Sequence, residues 1–230
     1  MKALHTIILT IHILFANSVF SQPSSSLNGV YHAKTSDINT LWLFADGYSS
    51  QIVYKDNAYM STKGGPYQYD GKTLSLILEY SDKDSSEVGK TQELHILLEG
   101  SDLKNDKGVL FKKQPAKSQD LDGVWRISGR KQGNEISTIQ RGDRKTIKIL
   151  VDGYFQWVAI NPAVKGFYGT GGGHYVHKDQ QYTEHLLFFS RDNSRVGNHL
   201  NFKGEIKENE WHHSGNSSKG EPLYEIWSRE

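Results

Sequence analysis

The sequence predicts an all-β protein built from two tandem antiparallel β repeats. Four sequence blocks occur twice in the same order, which indicates an internal duplication. Asp-Gly pairs separate short apolar runs in each copy, as is typical of β-hairpin turns. Beyond the first 21 residues, no window of useful length places its apolar residues at helical spacing.

The duplication is seen most directly by comparing the matching blocks. The first copy contains LNGVY (27–31), FADGY (44–48), GGPYQY (64–69) and SDKDSSEVG (81–89). The second copy contains LDGVW (121–125), LVDGY (150–154), GGHYVH (172–177) and SRDNSRVG (190–197). We therefore predict a first repeat at 27–114, a linker at 115–120 and a second repeat at 121–230.

The N-terminus has the pattern of a secretory signal peptide. Lys2 provides the positive charge, and the apolar stretch 6–15 is too short to span a bilayer comfortably. We predict a signal peptide at 1–21, cleaved before Gln22, and a disordered lead-in at 22–26. The mature protein is then expected in the periplasm or outside the cell, with no membrane span.

Composition excludes several classes of function. The formal net charge of +1 argues against nucleic-acid binding driven by bulk electrostatics. The chain has no cysteine, so it forms neither disulfides nor thiolate metal sites. The histidines lack the usual zinc spacings, and we expect neither a metal nor another cofactor. The sequence leaves the oligomeric state open.

The segment from Gly171 to Gly215 has the richest supply of reactive side chains. It contains six of the ten histidines, and ionisable groups at this density are costly to bury unless they serve a ligand or each other. Its loop carries Arg191 and Arg195, whereas the matching loop of the first copy is acidic. The planar guanidinium of arginine can donate two hydrogen bonds to one carboxylate or sulfate group, so we predict an anion-binding site here. The alternative is a solvated loop in which both arginines pair with nearby acids.

Strand alternation assigns these side chains to opposite faces. Tyr175 lies opposite His174, and His212 lies opposite Trp211 and His213. Tyr182, Glu184, Leu186 and Phe188 are expected to share one face of their strand, with Thr183, His185 and Leu187 on the other. The histidines therefore cannot all enter one pocket, and the pattern does not decide which face points inward.

Two features of the second copy, a Gly-x-Trp motif and an arginine on the last strand, form a recognisable pattern. Gly123-Val124-Trp125 opens a strand and Arg229 lies on the last one. This pattern resembles the lipocalin-like superfamily, in which an arginine of the closing strand covers a tryptophan at the barrel base. In the first copy Tyr31 replaces the tryptophan, and Lys112 or Lys113 lies near the position of the arginine. The resemblance implies two lipocalin-like antiparallel barrels or sandwiches.

A second resemblance covers most of the second copy. The runs WVAINP, FYGTGGG, FFSRDNSRVG and WHHSG resemble those of small secreted proteins from polysaccharide-degrading bacteria. In particular, the chain resembles oligosaccharide dehydratases that act on fragments of ulvan, an anionic algal polysaccharide. The resemblance implies a secreted carbon–oxygen lyase that eliminates water from a terminal uronic acid and leaves an unsaturated uronyl end.

Elimination suits the residue types of the second copy. The proton beside a uronate carboxylate is weakly acidic, so an enzyme neutralises the carboxylate and supplies a base and an acid. We predict four catalytic residues: His174, Tyr175, Arg191 and His212. We predict six substrate-binding residues: Trp157, Glu184, Asn193, Arg195, Trp211 and His213. Both tryptophans have an equally good interpretation as barrel core.

Other functions remain open at this point. Glu184 and Asp192 form a conceivable glycosidase pair, but nothing makes that pair specific. No Gly-x-Ser-x-Gly elbow indicates a serine nucleophile. A non-catalytic lipocalin-like protein that binds a small ligand or oligosaccharide is the main alternative. A structural module whose first copy docks a partner is a third.

Overall fold

The computed structural model describes residues 27–133, 135–217 and 219–230. The predicted signal peptide and lead-in lie outside these residues. The predicted fold class is confirmed: the described chain forms two closed, eight-stranded antiparallel β-barrels in tandem. No helix in the described part of the chain is long and apolar enough to cross a membrane.

The first barrel closes through pairings of its first strand with its last. Its strands are β1 Gly29–Thr35, β2 Ile38–Ala45, β3 Tyr48–Lys55, β4 Ala58–Tyr69, β5 Thr73–Ile77, β6 Tyr80–Ser81, β7 Thr91–Glu99, β8 Asp102–Asn105 and β9 Leu110–Lys113. The order around the barrel is β1-β2-β3-β4-β5-β7-β8-β9, and β9 returns to β1. The short β6 pairs with β4 outside this cycle.

The second barrel repeats this arrangement. Its strands are β10 Gly123–Gln132, β11 Glu135–Thr138, β12 Lys145–Val151, β13 Tyr154–Asn161, β14 Gly166–Lys178, β15 Gln181–Phe189, β16 His199–Lys207, β17 Glu210–Asn216 and β18 Pro222–Arg229. β10 pairs with both β12 and β18, which closes the barrel, and β11 lies beside β10. Short 3-10 turns occupy Ser85–Glu87, Pro162–Val164 and Asn193–Arg195.

Matching positions of the two copies have matching backbone geometry. The predicted Asp-Gly hairpins are present, with φ of 49° and 74° at Asp46-Gly47 and 50° and 79° at Asp152-Gly153. Two positive φ values are what a two-residue type I′ turn requires. Asp84 and Asp192 each accept a hydrogen bond from a backbone N–H of the following 3-10 turn. The repeated blocks of sequence therefore encode the same local structure twice.

The base of each barrel is closed by an aromatic ring under a cation. The Arg229 guanidinium lies 3.8 Å from the centre of the Trp125 ring, and Arg229 also donates to the Asp122 carbonyl over 2.6 Å. In the first barrel, Lys113 lies 5.4 Å from the centre of the Tyr31 ring. This is the pairing that the lipocalin-like pattern implied, with Lys113 rather than Lys112 in the arginine position.

The two barrels share an apolar core between them. It includes Val30, Leu41, Leu43 and Tyr80 of the first barrel with Val124, Ile147, Ile149 and Phe188 of the second. Inside this interface, fully buried Gln156 reaches from β13 and donates to the hydroxyls of Thr62 and Thr170, at 3.0 and 2.9 Å. Because the amide is paired with both copies, it orients the barrels as well as joining them.

The barrel interiors differ sharply. The first is filled by apolar side chains, and its cluster consists of Leu27, Tyr31, Ala33, Trp42, Phe44, Tyr69, Leu74, Ile96, Leu103 and Phe111. Lys148 of the second barrel is the counterpart of Trp42 in the first. Lys148 pairs with Trp125 on the neighbouring strand, Trp42 pairs with Tyr31, and Trp125 and Tyr31 are equivalent residues of the two copies. In the same way, Glu184 is the counterpart of Leu76. The second interior therefore has charges where the first is packed.

Candidate active site in the second barrel

A cavity of about 440 Å³ opens into the second barrel at the end opposite Trp125. This volume lies in the range of small-molecule binding sites. Its polar lining consists of Arg130, Arg144, Thr146, Lys148, Glu184, Arg191, His213, Ser217 and Glu225. Its apolar lining consists of Trp157, Ala159, Leu186, Phe189, Leu200, Phe202, Leu223 and Trp227. The cavity thus combines fixed charges with aromatic walls.

The floor of the cavity is a buried ion pair. Lys148 Nζ lies 2.9 Å from Glu184 Oε1, and both side chains are at most 6% exposed. Tyr182 donates its hydroxyl proton to the same carboxylate oxygen over 2.9 Å. The ammonium group also lies within 6 Å of four ring centres, those of Phe155, Tyr182, Trp211 and Trp227. These contacts hold Lys148 in one place while it faces the cavity.

His213 forms part of the cavity wall and is almost completely buried. Neither of its ring nitrogens has a hydrogen-bond partner among the described residues. Its nearest carboxylate oxygen, on Glu225, is 3.6 Å from Nδ1, which is too long for a good hydrogen bond. Burial, and next the charge of Lys148, lower the pKa of His213 below its usual value of 6.5. The imidazole is therefore neutral at pH 7 and able to accept a proton.

Two indole groups near His213 are also unpaired. The Nε1 atoms of Trp211 and Trp227 are buried without a hydrogen-bond partner among the described residues. Buried donors left unpaired cost free energy, so their clustering needs an explanation. Of the two tryptophans, Trp227 lines the cavity and Trp211 lies beneath it.

Two arginines at the mouth of the cavity are held by Tyr168. Arg191 donates to the Tyr168 carbonyl oxygen from Nε over 3.0 Å and from an Nη atom over 2.6 Å. The Arg144 guanidinium lies 3.8 Å from the centre of the Tyr168 ring. Neither arginine has a carboxylate partner among the described residues, whereas Arg130 lies 3.6 Å from Glu225. Arg144 and Arg191 are thus positioned cations that remain available to an anion.

The glycines of the FYGTGGG run make room for these side chains. A Cβ atom on Gly169 would lie 2.6 Å from the Arg191 Nε atom. One on Gly171 would lie 2.7 Å from both the Trp157 and the Phe189 rings. β14 pairs with β13 and β15, which carry those two aromatic residues. The glycines therefore allow Trp157 and Phe189 to meet at 5.7 Å between ring centres and form one wall.

Four of the predicted site residues line the cavity. They are Trp157, Glu184, Arg191 and His213. The predicted assignment of Tyr182, Glu184 and Leu186 to one face is correct, since all three are buried inside the second barrel. Phe188 departs from it: a β-bulge between Leu186 and Phe188 shifts the alternation, so that Phe188 packs in the core between the barrels and Phe189 lines the cavity. The inward face of β17 likewise carries Trp211 and His213, with His212 opposite.

Three residues predicted to be catalytic lie away from the cavity. His174 is on the outer surface, where its ring lies 4.3 Å from that of Tyr154, because alternation turns it opposite to inward Tyr175. Tyr175 points inward but is packed near the base, where its hydroxyl donates to the Asp122 carboxylate. His212 faces outward and contacts the Tyr224 hydroxyl over 2.9 Å. The structure therefore corrects their predicted placement in one site with Arg191.

Three residues predicted to bind substrate lie outside the cavity and contact other parts of the protein. Asn193 accepts a hydrogen bond from the Tyr59 backbone N–H over 3.1 Å, which ties the second barrel to the first. Arg195 pairs with Asp192 at 3.3 Å, as the alternative interpretation of that loop expected. Trp211 is fully buried beneath the cavity, with its ring 4.9 Å from that of Tyr182. None of the three lines the cavity.

The sequence analysis missed four charged residues and one tryptophan of the cavity. They are Arg130, Arg144, Lys148, Glu225 and Trp227. Lys148 had a usable signal, because it stands at the same distance before its Asp-Gly hairpin as Trp42 does in the first copy. A lysine in place of a core tryptophan marks a changed interior. Arg130, Glu225 and Trp227 lie on β10 and β18, and Arg144 lies just before β12. These segments come together around the cavity only when the barrel closes.

Three further histidines form a row on the outer surface of β14, β15 and β16. The rings of His185 and His199 are parallel and 4.3 Å apart, and His174 is 6.3 Å from His185. Burial and the neighbouring imidazole lower the pKa of His185. No cluster of three or more histidine or acidic side chains within the described ranges is arranged to hold a metal ion.

Comparisons of the sequence with protein-family models and with curated proteins found no match to either.

Proposed function

We propose that the second barrel is a dehydratase site for the end of an anionic oligosaccharide. The substrate is a terminal uronic acid, of the kind found in ulvan-type oligosaccharides, and the product is an unsaturated uronyl end. The observation that carries the proposal is one cavity lined by three features: Arg144 and Arg191, which have no carboxylate partner among the described residues, a neutral buried His213, and the wall of Trp157.

The arginines supply the first requirement of elimination. Removal of the proton beside a carboxylate places negative charge on that carboxylate in the transition state. Arg144 and Arg191 are already oriented through Tyr168, so they can meet this charge without reorganising. Trp157 and Phe189 offer apolar faces on which the C–H surface of a sugar ring can pack.

His213 supplies the proton acceptor. Its lowered pKa keeps the imidazole neutral, and its two nitrogens have no hydrogen-bond partner among the described residues. A general base must be unprotonated at the operating pH, and it works best when its pKa lies close to that pH. Among the three histidines predicted for the site, His213 alone lines the cavity, and it meets these conditions.

The shape of the cavity favours a chain end. The opposite end of the barrel is closed by Arg229 over Trp125 and by Tyr175 bonded to Asp122. A polysaccharide therefore has no second opening through which to pass, which is why we assign a terminal residue. We also propose that the protein acts outside the cytoplasm, after removal of residues 1–21.

The test is incubation of the purified protein with several uronate-terminated oligosaccharides. We expect ultraviolet absorbance of a conjugated unsaturated uronate, and loss of the mass of one water per molecule of product. His213→Asn should abolish both signals while substrate still binds. Absence of product from every uronate substrate offered to the folded wild-type protein would contradict the proposal.

Ligand binding without catalysis is the second candidate. It is favoured by the positions of His174, Tyr175 and His212, which leave the cavity with fewer proton-transfer groups than predicted. Lipocalin-like barrels commonly hold a ligand in the barrel mouth, although fold alone does not decide function. Calorimetric binding of an anionic oligosaccharide that the protein leaves chemically unchanged would favour this candidate.

A further inference from the structure

We infer that Lys148 is the general acid of the site, giving its proton to the hydroxyl that leaves the uronate. This inference rests on the proposed dehydratase function and adds a catalytic residue to it. The residues that the sequence analysis predicted for proton transfer were histidines and a tyrosine, and Lys148 was not among them.

The hydrogen bonding of Lys148 leaves donors free for a ligand. A lysine ammonium group has three N–H donors, and Lys148 uses one of them on Glu184. No other hydrogen bond to a described residue is present, and the remaining surroundings are the faces of aromatic rings. Lys148 also lines the cavity, so the donors that Glu184 does not use are available to a ligand bound there.

Tyr182 is a poorer candidate for the same role. Its one hydroxyl proton is donated to Glu184, its side chain is fully buried, and it does not line the cavity. Burial, and next the Glu184 charge, raise the pKa of Tyr182 well above its usual value. Tyr182 and Lys148 instead hold one oxygen of Glu184 together, so Glu184 positions the ammonium group.

The reaction balances with the groups present. His213 takes the proton from the carbon beside the carboxylate, and the electron pair of that C–H bond forms the new C=C bond. The C–O bond on the next carbon breaks with its electron pair, and the departing hydroxyl takes a proton from Lys148 and leaves as water. His213 then carries one extra proton and Lys148 has lost one, and exchange with solvent restores both. No oxidant or reductant is needed.

The comparison of the two barrels supports the assignment. The first barrel shows that Trp42 and Leu76 fill these positions of the scaffold with apolar contacts. The fold itself therefore does not require a buried lysine and carboxylate here. Two charges removed from water are costly, and replacing such a pair by apolar residues is often neutral or stabilising. A role in proton transfer accounts for their presence.

The test compares two substrates on the same enzyme preparation. One is a glucuronate-terminated disaccharide, and the other is the analogue in which fluoride replaces the departing hydroxyl. Fluoride leaves without being protonated first, so it does not need a general acid. The ratio of the two rates, fluoride over hydroxyl, is independent of the fraction of correctly folded protein.

Two variants remove the acid in different ways. Lys148→Arg keeps the positive charge beside Glu184 but carries a guanidinium that does not release its proton. The double variant Lys148→Met with Glu184→Gln removes both charges, which avoids leaving a buried carboxylate unpaired. We expect the ratio to rise about 100-fold or more in both, since general acids contribute roughly 100- to 10,000-fold. The control is His199→Gln, on the outer surface of β16 away from the cavity, which should leave the ratio unchanged.

The outcomes separate this inference from the proposed function. Turnover of neither substrate by the wild-type protein overturns the dehydratase proposal and this inference with it. Wild-type turnover with an unchanged ratio in the folded variants overturns the inference alone and leaves Lys148 as a charge that anchors the substrate. Loss of both substrates in a variant with a native circular dichroism spectrum also overturns it, because the fluoride substrate should remain reactive.

Discussion

Lys148 and Glu184 face each other at 2.9 Å inside the second barrel, at the positions that Trp42 and Leu76 occupy in the first. The substitution of a charged pair for two apolar side chains changes a packed core into a cavity floor. It also places an ammonium group beside four aromatic rings, in a cavity that His213 lines as well. The two copies therefore keep one scaffold and differ in what the scaffold encloses.

Removing Lys148 alone should destabilise the protein strongly. Lys148→Met leaves the Glu184 carboxylate buried without its partner, which typically costs about 3–5 kcal/mol of unfolding free energy. The matched control is Lys148→Met with Glu184→Leu, which copies the apolar character of the first barrel and should cost less than the single change. Urea denaturation measures both. A double variant that is less stable than the single one would contradict the prediction that Lys148 compensates the buried Glu184 carboxylate.

Replacing His213 should remove elimination activity without removing the binding site. His213→Asn introduces a residue of smaller volume that cannot accept the proton, and loss of a general base costs roughly 100- to 10,000-fold in rate. The measurement is the rate at which unsaturated uronate absorbance appears. His199→Gln is the matched control, because His199 is exposed on the outer surface of β16. Equal losses in the two variants would contradict a specific role for His213.

The mouth arginines should govern substrate affinity. Arg144→Ala and Arg191→Ala each remove a cation that has no carboxylate partner among the described residues, and a hydrogen bond to a charged group is worth about 1.5–3 kcal/mol. We expect the KM for a uronate substrate to rise roughly 10- to 100-fold in each variant. Arg141→Ala is the control, since Arg141 pairs with Glu230 at 2.6 Å and does not line the cavity.

Stability should fall as the pH drops below the usual pKa of histidine. The pKa of His213 is lowered in the folded protein, so below pH 6.5 the unfolded chain binds a proton that the folded chain does not yet bind. The free energy of unfolding is then lost from about pH 6.5 down to the folded pKa, at a slope of at most about 1.4 kcal/mol per pH unit for one proton.

A variant isolates this contribution from those of other histidines. The pKa values of His174 and His185 are also lowered by burial, so they add to the same trend. The difference between wild type and His213→Asn in urea denaturation at pH 7.5, 6.5 and 5.5 removes the shared part. A difference that stays constant over this range would show that His213 is not held neutral by the fold.

The base of the second barrel should matter for stability more than the base of the first. Arg229→Met removes a guanidinium at 3.8 Å from the Trp125 ring and its hydrogen bonds to the carbonyls of Asp122 and Asp120. Together these should be worth about 1–3 kcal/mol. Lys113→Met removes a looser contact, at 5.4 Å from the Tyr31 ring, and should cost less. The comparison is made by thermal or urea unfolding.

The candidate site was partly predictable because strands alternate. Trp157, Glu184, Arg191 and His213 all line the cavity, and the assignment of Tyr175 and His174 to opposite faces was correct. Tyr175 was misjudged because inward direction does not specify depth, and the Asp122 carboxylate holds it near the base. The mouth residue Arg144 gave no signal, since it lies in a polar segment before β12 that resembles any exposed turn.

The sequence by itself determined the duplication, the hairpins at Asp46-Gly47 and Asp152-Gly153, and which side chains share a face where a strand is free of bulges. These are local properties, set by backbone preferences and by the two-residue period of a strand. Only the tertiary structure decided which face points inward and which barrel is hollow. A strand has two equivalent faces until its neighbours close around one of them, and only closure brings Lys148, Glu184 and His213 from three strands into one cavity.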